Sequence, residues 1–191
     1  LDGDTGEIEW FYQHLNDHWD LDHPFERMLL DTAVAPNPDA ESWINPQLQP
    51  GEVRKVMTGI PGKTGIVYTL DRETGEFLWA RPTVMQNVIN DIDGTTGLVT
   101  ENPEMVFSEL GEEKLICPGM HGGKDWEAGA YSPLTNTMYF PLRNACMPAL
   151  TTTAESASHR IYALSVRHQL TEGKDKLGPV FAISVETGET N

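Results

Sequence analysis

Basic residues are scarce in this chain of 191 residues: 13 Lys and Arg stand against 29 Asp and Glu, a formal charge of −16. A surface of that sign repels phosphate backbones and anionic lipid, which argues against nucleic acid or a lipid face as partner. Long apolar runs are missing too. None approaches the roughly eighteen residues that a helix needs to cross a bilayer, so no membrane span is expected. Cysteine is limited to Cys117 and Cys146, with no Cys-x-x-Cys pair and no histidine at zinc spacing. That pattern disfavours a structural zinc site and leaves two possibilities open, a disulfide or two buried thiols. Helix signals are few and short, and no secretory leader opens the sequence. What remains, 39% hydrophobic and 22% charged residues, suffices for one domain with a sizeable core.

The chain does contain a repeat. Residues 1–10 read Leu-Asp-Gly-Asp-Thr-Gly-Glu-Ile-Glu-Trp and residues 70–79 read Leu-Asp-Arg-Glu-Thr-Gly-Glu-Phe-Leu-Trp. In both, Asp is followed by Thr-Gly at offsets three and four and by Trp at offset eight. A third copy, Ile183 to Asn191, has Ser184 in the Asp place and breaks off before its Trp, and Asp93-Gly94-Thr95-Thr96-Gly97 is an echo without one. Each copy predicts a strand, a tight turn in which Gly supplies a positive φ, and a second strand whose Trp packs on a neighbouring sheet. Recurrence of such a unit is the sequence signature of radially repeated β-sheets, and a copy broken before its anchor implies a slice of a longer propeller.

Strand-like runs between Gly, Pro and Asn punctuation predict β-structure over 28–34, 53–60, 65–70, 76–80, 128–132, 137–142, 160–166 and 179–185. Residues 36–38 and 43–51 read as surface loop. The expected fold is all-β and mostly antiparallel, with about three four-stranded blades of which two are incomplete.

Chemistry points first to Asp17-His18-Trp19-Asp20-Leu21-Asp22. Strand alternation would turn Asp20 and Asp22 to one side, and two carboxylates so close resist burial unless a cation or shared proton lies between them. Alone, the run also fits a solvated acidic loop. A second segment, Cys117-Pro118-Gly119-Met120-His121-Gly122-Gly123-Lys124-Asp125-Trp126, has three glycines that allow close backbone approach to a flat ligand, with Trp126 to stack or to fill core.

Taken in order, Trp19-Asp20-Leu21-Asp22, then Gly62-Lys63-Thr64-Gly65 running into Ile66-Val67-Tyr68-Thr69-Leu70-Asp71-Arg72, then Gly122-Gly123-Lys124-Asp125-Trp126 with Tyr131-Ser132-Pro133, and Asn144-Ala145-Cys146-Met147, form a recognisable series. Over essentially its whole length the chain resembles the pyrroloquinoline quinone (PQQ)-dependent alcohol dehydrogenases, the quinoproteins of the methanol and ethanol dehydrogenase type. Its Asp-x-x-Thr-Gly-x-x-x-Trp repeat is similar to their tryptophan-docking motif. The resemblance implies an eight-bladed β-propeller of which residues 1–191 are a part.

It implies a function as well: oxidation of a small primary alcohol to the aldehyde by hydride transfer to PQQ, in the periplasm, with a cytochrome c as electron acceptor. By resemblance Asp20 is the general base, and Lys63 matches the family's cation on the quinone carbonyl oxygens, a place suited to stabilising charge that develops on reduction. Asp125 stands where the family commonly has Asn and, with Trp126, is expected at the cofactor; His18 and His121 are expected at the rim. The metal expected beside the quinone is a lanthanide, with calcium as the alternative, bound by Asp20 and Asp22. Lanthanide-using members of the family carry an acid at the position of Asp22, and a trivalent ion gains more from an extra hard anionic oxygen. Cys117 and Cys146 match a bridge in the family. The Glu and Asn that complete the metal site, the adjacent-cysteine disulfide and the Trp floor of the quinone pocket are expected outside this chain, so the isolated segment is expected to be inactive.

Two other classes stay open at this stage. A noncatalytic propeller scaffold would use the same docking repeat but would not require Asp20, Asp22 and Lys63 to converge. A glycoside hydrolase needs carboxylates roughly 5 to 10 Å apart across a sugar, which suits acids two residues apart least well. The alcohol and the oligomeric state, homo-oligomer included, are not legible in the sequence.

Overall fold

The computed structural model describes residues 1–40 and 43–190. Along the chain its strands are β1 (Met28–Val34), β2 (Trp43–Ile44), β3 (Glu52–Gly59), β4 (Ile66–Asp71), β5 (Phe77–Pro82), β6 (Ile89–Ile92), β7 (Val99–Glu101), β8 (Glu113–Ile116), β9 (Ala130–Ser132), β10 (Thr137–Pro141), β11 (Ala145–Thr151), β12 (Leu164–Val166), β13 (Gln169–Leu170) and β14 (Val180–Ser184). Among the described residues the only helical elements are 3₁₀ turns at Pro103–Met105 and Arg160–Tyr162, and no helix is long and apolar enough to cross a membrane.

Four antiparallel strands in the order β1-β3-β4-β5 form the principal sheet, with β2 added at the β5 edge. β4 is buried along its whole length and alternates between two cores. Ile66, Tyr68 and Leu70 join one core with Trp19, Leu21, Ile116 and Met147. Val67 joins the other, with Trp79, Met138, Phe140 and Ile183. A strand that serves two cores has no polar face to spare, which explains its nearly unbroken apolar sequence. The second core joins this sheet to a three-stranded one, β14-β10-β9. Between β10 and β14 the chain makes an excursion in which β11 pairs with β8 on one side and with β12 and β13 on the other.

The four repeat turns are built alike. The amide at offset four donates to the carbonyl of the first residue in every copy: Gly6 to Asp2, Gly75 to Asp71, Gly97 to Asp93 and Gly188 to Ser184. The first side chain accepts the amide of the Thr at offset three, through Asp2, Asp71, Asp93 or Ser184. The Thr hydroxyl then accepts the amide two residues on. Asp and Thr therefore satisfy the backbone that the turn would otherwise strand. Each Gly has φ between +72° and +78°, and at two of them a second requirement appears. A Cβ on Gly75 would lie 2.7 Å from the Trp10 ring, and one on Gly188 would lie 2.8 Å from Trp79. Each indole thus lies on the glycine of the following copy. Trp79 is fully buried, a burial that stabilises by about 4 to 6 kcal/mol at 25 cal/mol per Å². At the fourth turn Tyr12 replaces Trp, lying on Gly97 and donating its hydroxyl to the Gly97 carbonyl at 2.6 Å.

Some expectations need correction. The first copy forms its turn, but the chain after it pairs with no strand, and Ile8 and Phe11 are exposed. Residues 43–51 are not all loop: Trp43–Ile44 pairs with β5, held there by buried Asn45, whose side chain donates to the Phe77 carbonyl. Residues 160–166 are not one strand, because Ala163 in the left-handed region (φ 53°) ends a 3₁₀ turn before β12 begins. Asn191, the last residue of the third copy, lies outside the described residues.

Candidate active site

Asp20 and Asp22 are on irregular chain before β1, not on a strand. Asp17 organises it: its Oδ1 accepts the amides of Trp19 (3.1 Å), Asp20 (2.7 Å) and Leu21 (2.7 Å). Trp19 and Leu21 are driven into the first core, and the residue between them is forced outward with φ 87°. A positive φ at a non-glycine residue is an uncommon, costly conformation that persists where the surroundings over-determine it. Here the Asp17 cap and two buried anchors do so.

Lys63 arrives from the loop between β3 and β4. Its side chain is 8% exposed, and its ammonium lies 2.7 Å from Asp20 Oδ1 and 2.9 Å from Asp22 Oδ1. The backbone is tied as well, the Lys63 amide donating to the Asp22 carbonyl at 3.2 Å. Burial disfavours the charged ammonium, but the two carboxylates outweigh it and hold the Lys63 pKa above its ordinary value. Burial likewise pushes the Asp22 carboxyl up, while Lys63 pulls it down further, leaving it below the usual carboxylate range. The three residues singled out from the sequence therefore form one cluster.

Flanking groups hold this cluster in place. Gly62 sits against the His23 ring, where a Cβ would come within 2.2 Å. His23 in turn stacks on His14, ring centroids 4.6 Å apart. Burial, with Arg27 nearby, lowers His14 to about 3 and His23 to about 4, so both are neutral at pH 7. The hairpin β6–β7 braces the approach: Glu101 accepts the Asn16 amide at 3.2 Å, and its other oxygen is 2.8 Å from His18 Nε2. On the opposite side the Gly123 amide donates to the Lys63 carbonyl at 2.8 Å.

Asp125 and Trp126 have protein partners of their own. Asp125 pairs with Arg143 at 3.1 Å, and Arg143 also binds Glu127 and donates to the His121 carbonyl. Trp126 is 74% exposed and meets Phe25 edge-on. His121 stacks on His168 beside a cavity of about 430 Å³ that Asp125 and Arg143 also line. Cys117 and Cys146 form a disulfide with S–S 2.04 Å, joining the end of β8 to β11.

Two residues have roles that sequence reading did not assign. Lys124 is fully buried, its ammonium 3.1 Å from Glu26 and 4.6 Å from the Phe25 ring centre. Tyr162 has its phenol pKa raised, by burial first and then by the fields of Asp17 and Asp20. No local signal gave either role, because Glu26 lies 98 residues before Lys124 and Asp17 and Asp20 lie far before Tyr162.

Chemically, two ionisable carboxylates on one buried ammonium offer a proton acceptor and a fixed positive charge side by side. The same two carboxylates are hard oxygen donors of the kind that calcium-sized ions take. Among the described residues no three His, Cys, Asp or Glu side chains gather at one point. The residues fit such an ion as part of its coordination shell, with further ligands required from beyond them.

No family model matches the chain. It is 34% identical over 156 residues to the putative dehydrogenase XoxF of Paracoccus denitrificans, covering 76% of this chain and 23% of that protein. To the lanthanide-dependent methanol dehydrogenase of Methylacidiphilum fumariolicum it is 32% identical over 145 residues, covering 75% and 21%. To the dehydrogenase subunit of the quinone alcohol dehydrogenase of Gluconobacter oxydans it is 32% identical over 142 residues, covering 74% and 17%. The chain thus spans about a fifth of the length of these relatives. Among solved structures, a europium-containing methanol dehydrogenase matches with TM-score 0.70 and 26% identity over 91% of this chain and 28% of its own. The quinohemoprotein alcohol dehydrogenase of Comamonas testosteroni matches with TM-score 0.73 over all of this chain and 27% of its own; at 21% identity it speaks to fold alone. The sheets described above are blades of a β-propeller.

Proposed function

Because the chain is a homologue of the PQQ-dependent alcohol dehydrogenases, we propose that it is part of a quinoprotein that oxidises a small primary alcohol to the aldehyde, and that it contributes the base and a quinone-binding cation. The observation that carries this reading is the convergence of Asp20 and Asp22 on the buried Lys63 ammonium. Burying a lysine against two carboxylates is a poor way to gain stability, since desolvation offsets much of the attraction. A scaffold has no use for the arrangement, whereas a catalytic site does.

In this proposal Asp20 takes the hydroxyl proton of the alcohol. Its carboxylate is about one-third exposed and held on the Asp17-capped turn, so it is both reachable and fixed. Lys63 presents its charge to the quinone carbonyl oxygens, where negative charge collects on reduction. When bound, PQQ supplies the hydride acceptor and a hard metal ion supplies Lewis acidity beside it. Asp20 and Asp22 are the ligands this chain would offer that ion. The second carboxylate favours a lanthanide over calcium, because a trivalent ion offsets more carboxylate repulsion. Asp125 and Trp126 belong to the cofactor side of the proposal, the charge of Asp125 being met by Arg143 and so less repellent to an anionic quinone. An oxidising periplasm, in which the Cys117–Cys146 bridge would persist, and a cytochrome acceptor complete the reading.

The test reconstitutes the metal-free whole protein with PQQ and either lanthanum or calcium, for the parent and Asp22→Ala. The parent is expected to prefer lanthanum, and Asp22→Ala to lose roughly 10- to 100-fold of that response, the scale on which removing a group that supports a metal site lowers affinity or activity. Equal activity with both metals in the parent, or a lanthanum response untouched by the substitution, would refute the metal assignment.

A further inference from the structure

The ammonium of Lys63 is held by two carboxylates, and its aliphatic stem lies close against a glycine, Gly122. A Cβ at Gly122 would lie 2.9 Å from both Cβ and Cγ of Lys63 and 2.2 Å from the Lys124 carbonyl oxygen. Carbon atoms pack at about 3.5 to 4.0 Å, so no side chain fits there unless something moves. The backbone is not free to move. Gly122 donates to the Gly119 carbonyl at 2.7 Å, Gly123 to Lys63 at 2.8 Å, and Arg143 to Gly123 at 2.7 Å. Gly119 donates to Ala145 at 3.1 Å, beside the disulfide of Cys146. This turn is pinned to the backbone of Lys63 itself and to β11, so a β-carbon at 122, pressed hardest by the Lys124 carbonyl and next by the root of the Lys63 side chain, is not accommodated without shifting Lys63.

We propose that Gly122 is a positioning residue for Lys63, a role that rests on the active-site reading above. The lack of a side chain at 122 lets the lysine stem lie flat along the turn and sets its ammonium between Asp20 and Asp22. Any β-carbon there displaces the stem, and with it the charge that faces the quinone. The positive φ of 71° at Gly122 is a separate requirement of the turn, shared by Gly111 at φ 86°, where a Cβ would meet nothing within 4 Å. The two effects can thus be told apart.

The experiment uses the whole protein and measures PQQ affinity by titrating the quinone-free form, together with turnover. The variants are Gly122→Ala, Lys63→Ala, their double mutant, Gly122→Asn, and Gly111→Ala as the control. Asn tolerates the left-handed region, so Gly122→Asn keeps the added β-carbon with less strain on the fold. Gly122→Ala is expected to weaken PQQ binding and lower turnover about tenfold or more, since a displacement of an ångström at a positioning group costs up to about a hundredfold. In the Lys63→Ala background the same change should add less than about twofold, because the residue it acts through is gone. Gly111→Ala should match the parent. The inference is overturned if Gly122→Ala costs as much without Lys63 as with it, or if both Gly122 variants bind PQQ like the parent. It is overturned too if neither folds while Gly111→Ala does, for Gly122 would then be a folding residue only. A Lys63→Ala protein with parental PQQ affinity and turnover would instead overturn the active-site reading itself.

Discussion

Replacing Lys63 by Met keeps an unbranched stem against Gly122 and deletes the charge between Asp20 and Asp22. Exposed ion pairs are worth about 0 to 1 kcal/mol, whereas removing one partner of a buried pair costs about 3 to 5 kcal/mol. This pair lies between those limits: the lysine is 8% exposed, but the carboxylates are 34% and 39% exposed and water screens them. A loss of about 2 kcal/mol at pH 7 is expected, equivalent to a fall in Tm of roughly 4 to 8 °C for a chain of this size. The loss depends on pH with a definite sign. In the parent the Asp22 pKa is depressed, so its contribution is present above the unfolded carboxylate value and disappears as pH falls through the folded one. The Lys63 pKa is raised, so its contribution is present below the unfolded lysine value and disappears only as pH rises through the folded one. In Lys63→Met the lysine's downward pull on Asp22 is gone while burial remains, so its pKa rises relative to the parent and acid then relieves the variant. Thermal unfolding of parent and variant at pH 7 and near pH 3 should therefore show a Tm gap that narrows in acid. A gap of the same size at both pH values, or none at pH 7, would refute the pairing.

Thiol titration of the unfolded, unreduced protein should find almost no free sulfhydryl, because Cys117 and Cys146 are joined; two reactive thiols would contradict the bridge. His14 and His23, neutral and stacked in a buried pocket, should titrate near 3 and 4 in imidazole NMR spectra. Their folded values lie below the unfolded one, so they withdraw stability as pH drops from about 6.5, and a midpoint near that value for either ring would show that it is not desolvated.

Local determinants were readable from sequence, and remote ones were not. The repeat turns could be read because Asp, Thr and Gly bond within five residues of themselves, so the motif carries its own structure. β1, β3, β4, β5, β10 and β14 follow from apolar, β-branched runs between breakers. β11 was missed because Pro148 interrupts it; the strand survives as its Ala149 and Leu150 still pair with β8 and β12. Asp20 and Asp22 do meet at one ammonium, though not by strand alternation. Trp19 and Leu21 turn inward as anchors and the Asp17 cap curls the chain between them. Lys63 carried no local signal, since its partners lie some forty residues earlier, and only the family resemblance marked it. Asp125 stood in a legible local motif, but its partner Arg143 comes from eighteen residues later and had no signal in the sequence.

The docking of each indole on the glycine of the next copy has a direction, and synthesis runs along it. Trp10 lies on Gly75 and Trp79 on Gly188, always from the earlier copy onto the later one. While the chain emerges from the ribosome, each indole must wait for the following copy before it can leave water. A nascent chain therefore carries Trp10 unmet until Gly75 appears and Trp79 unmet until Gly188 does, the turn at Gly97 between them sheltering Tyr12 instead. Slowing translation just ahead of Gly188 would prolong the exposure of Trp79, the interval in which a chaperone or a neighbouring nascent chain could reach it.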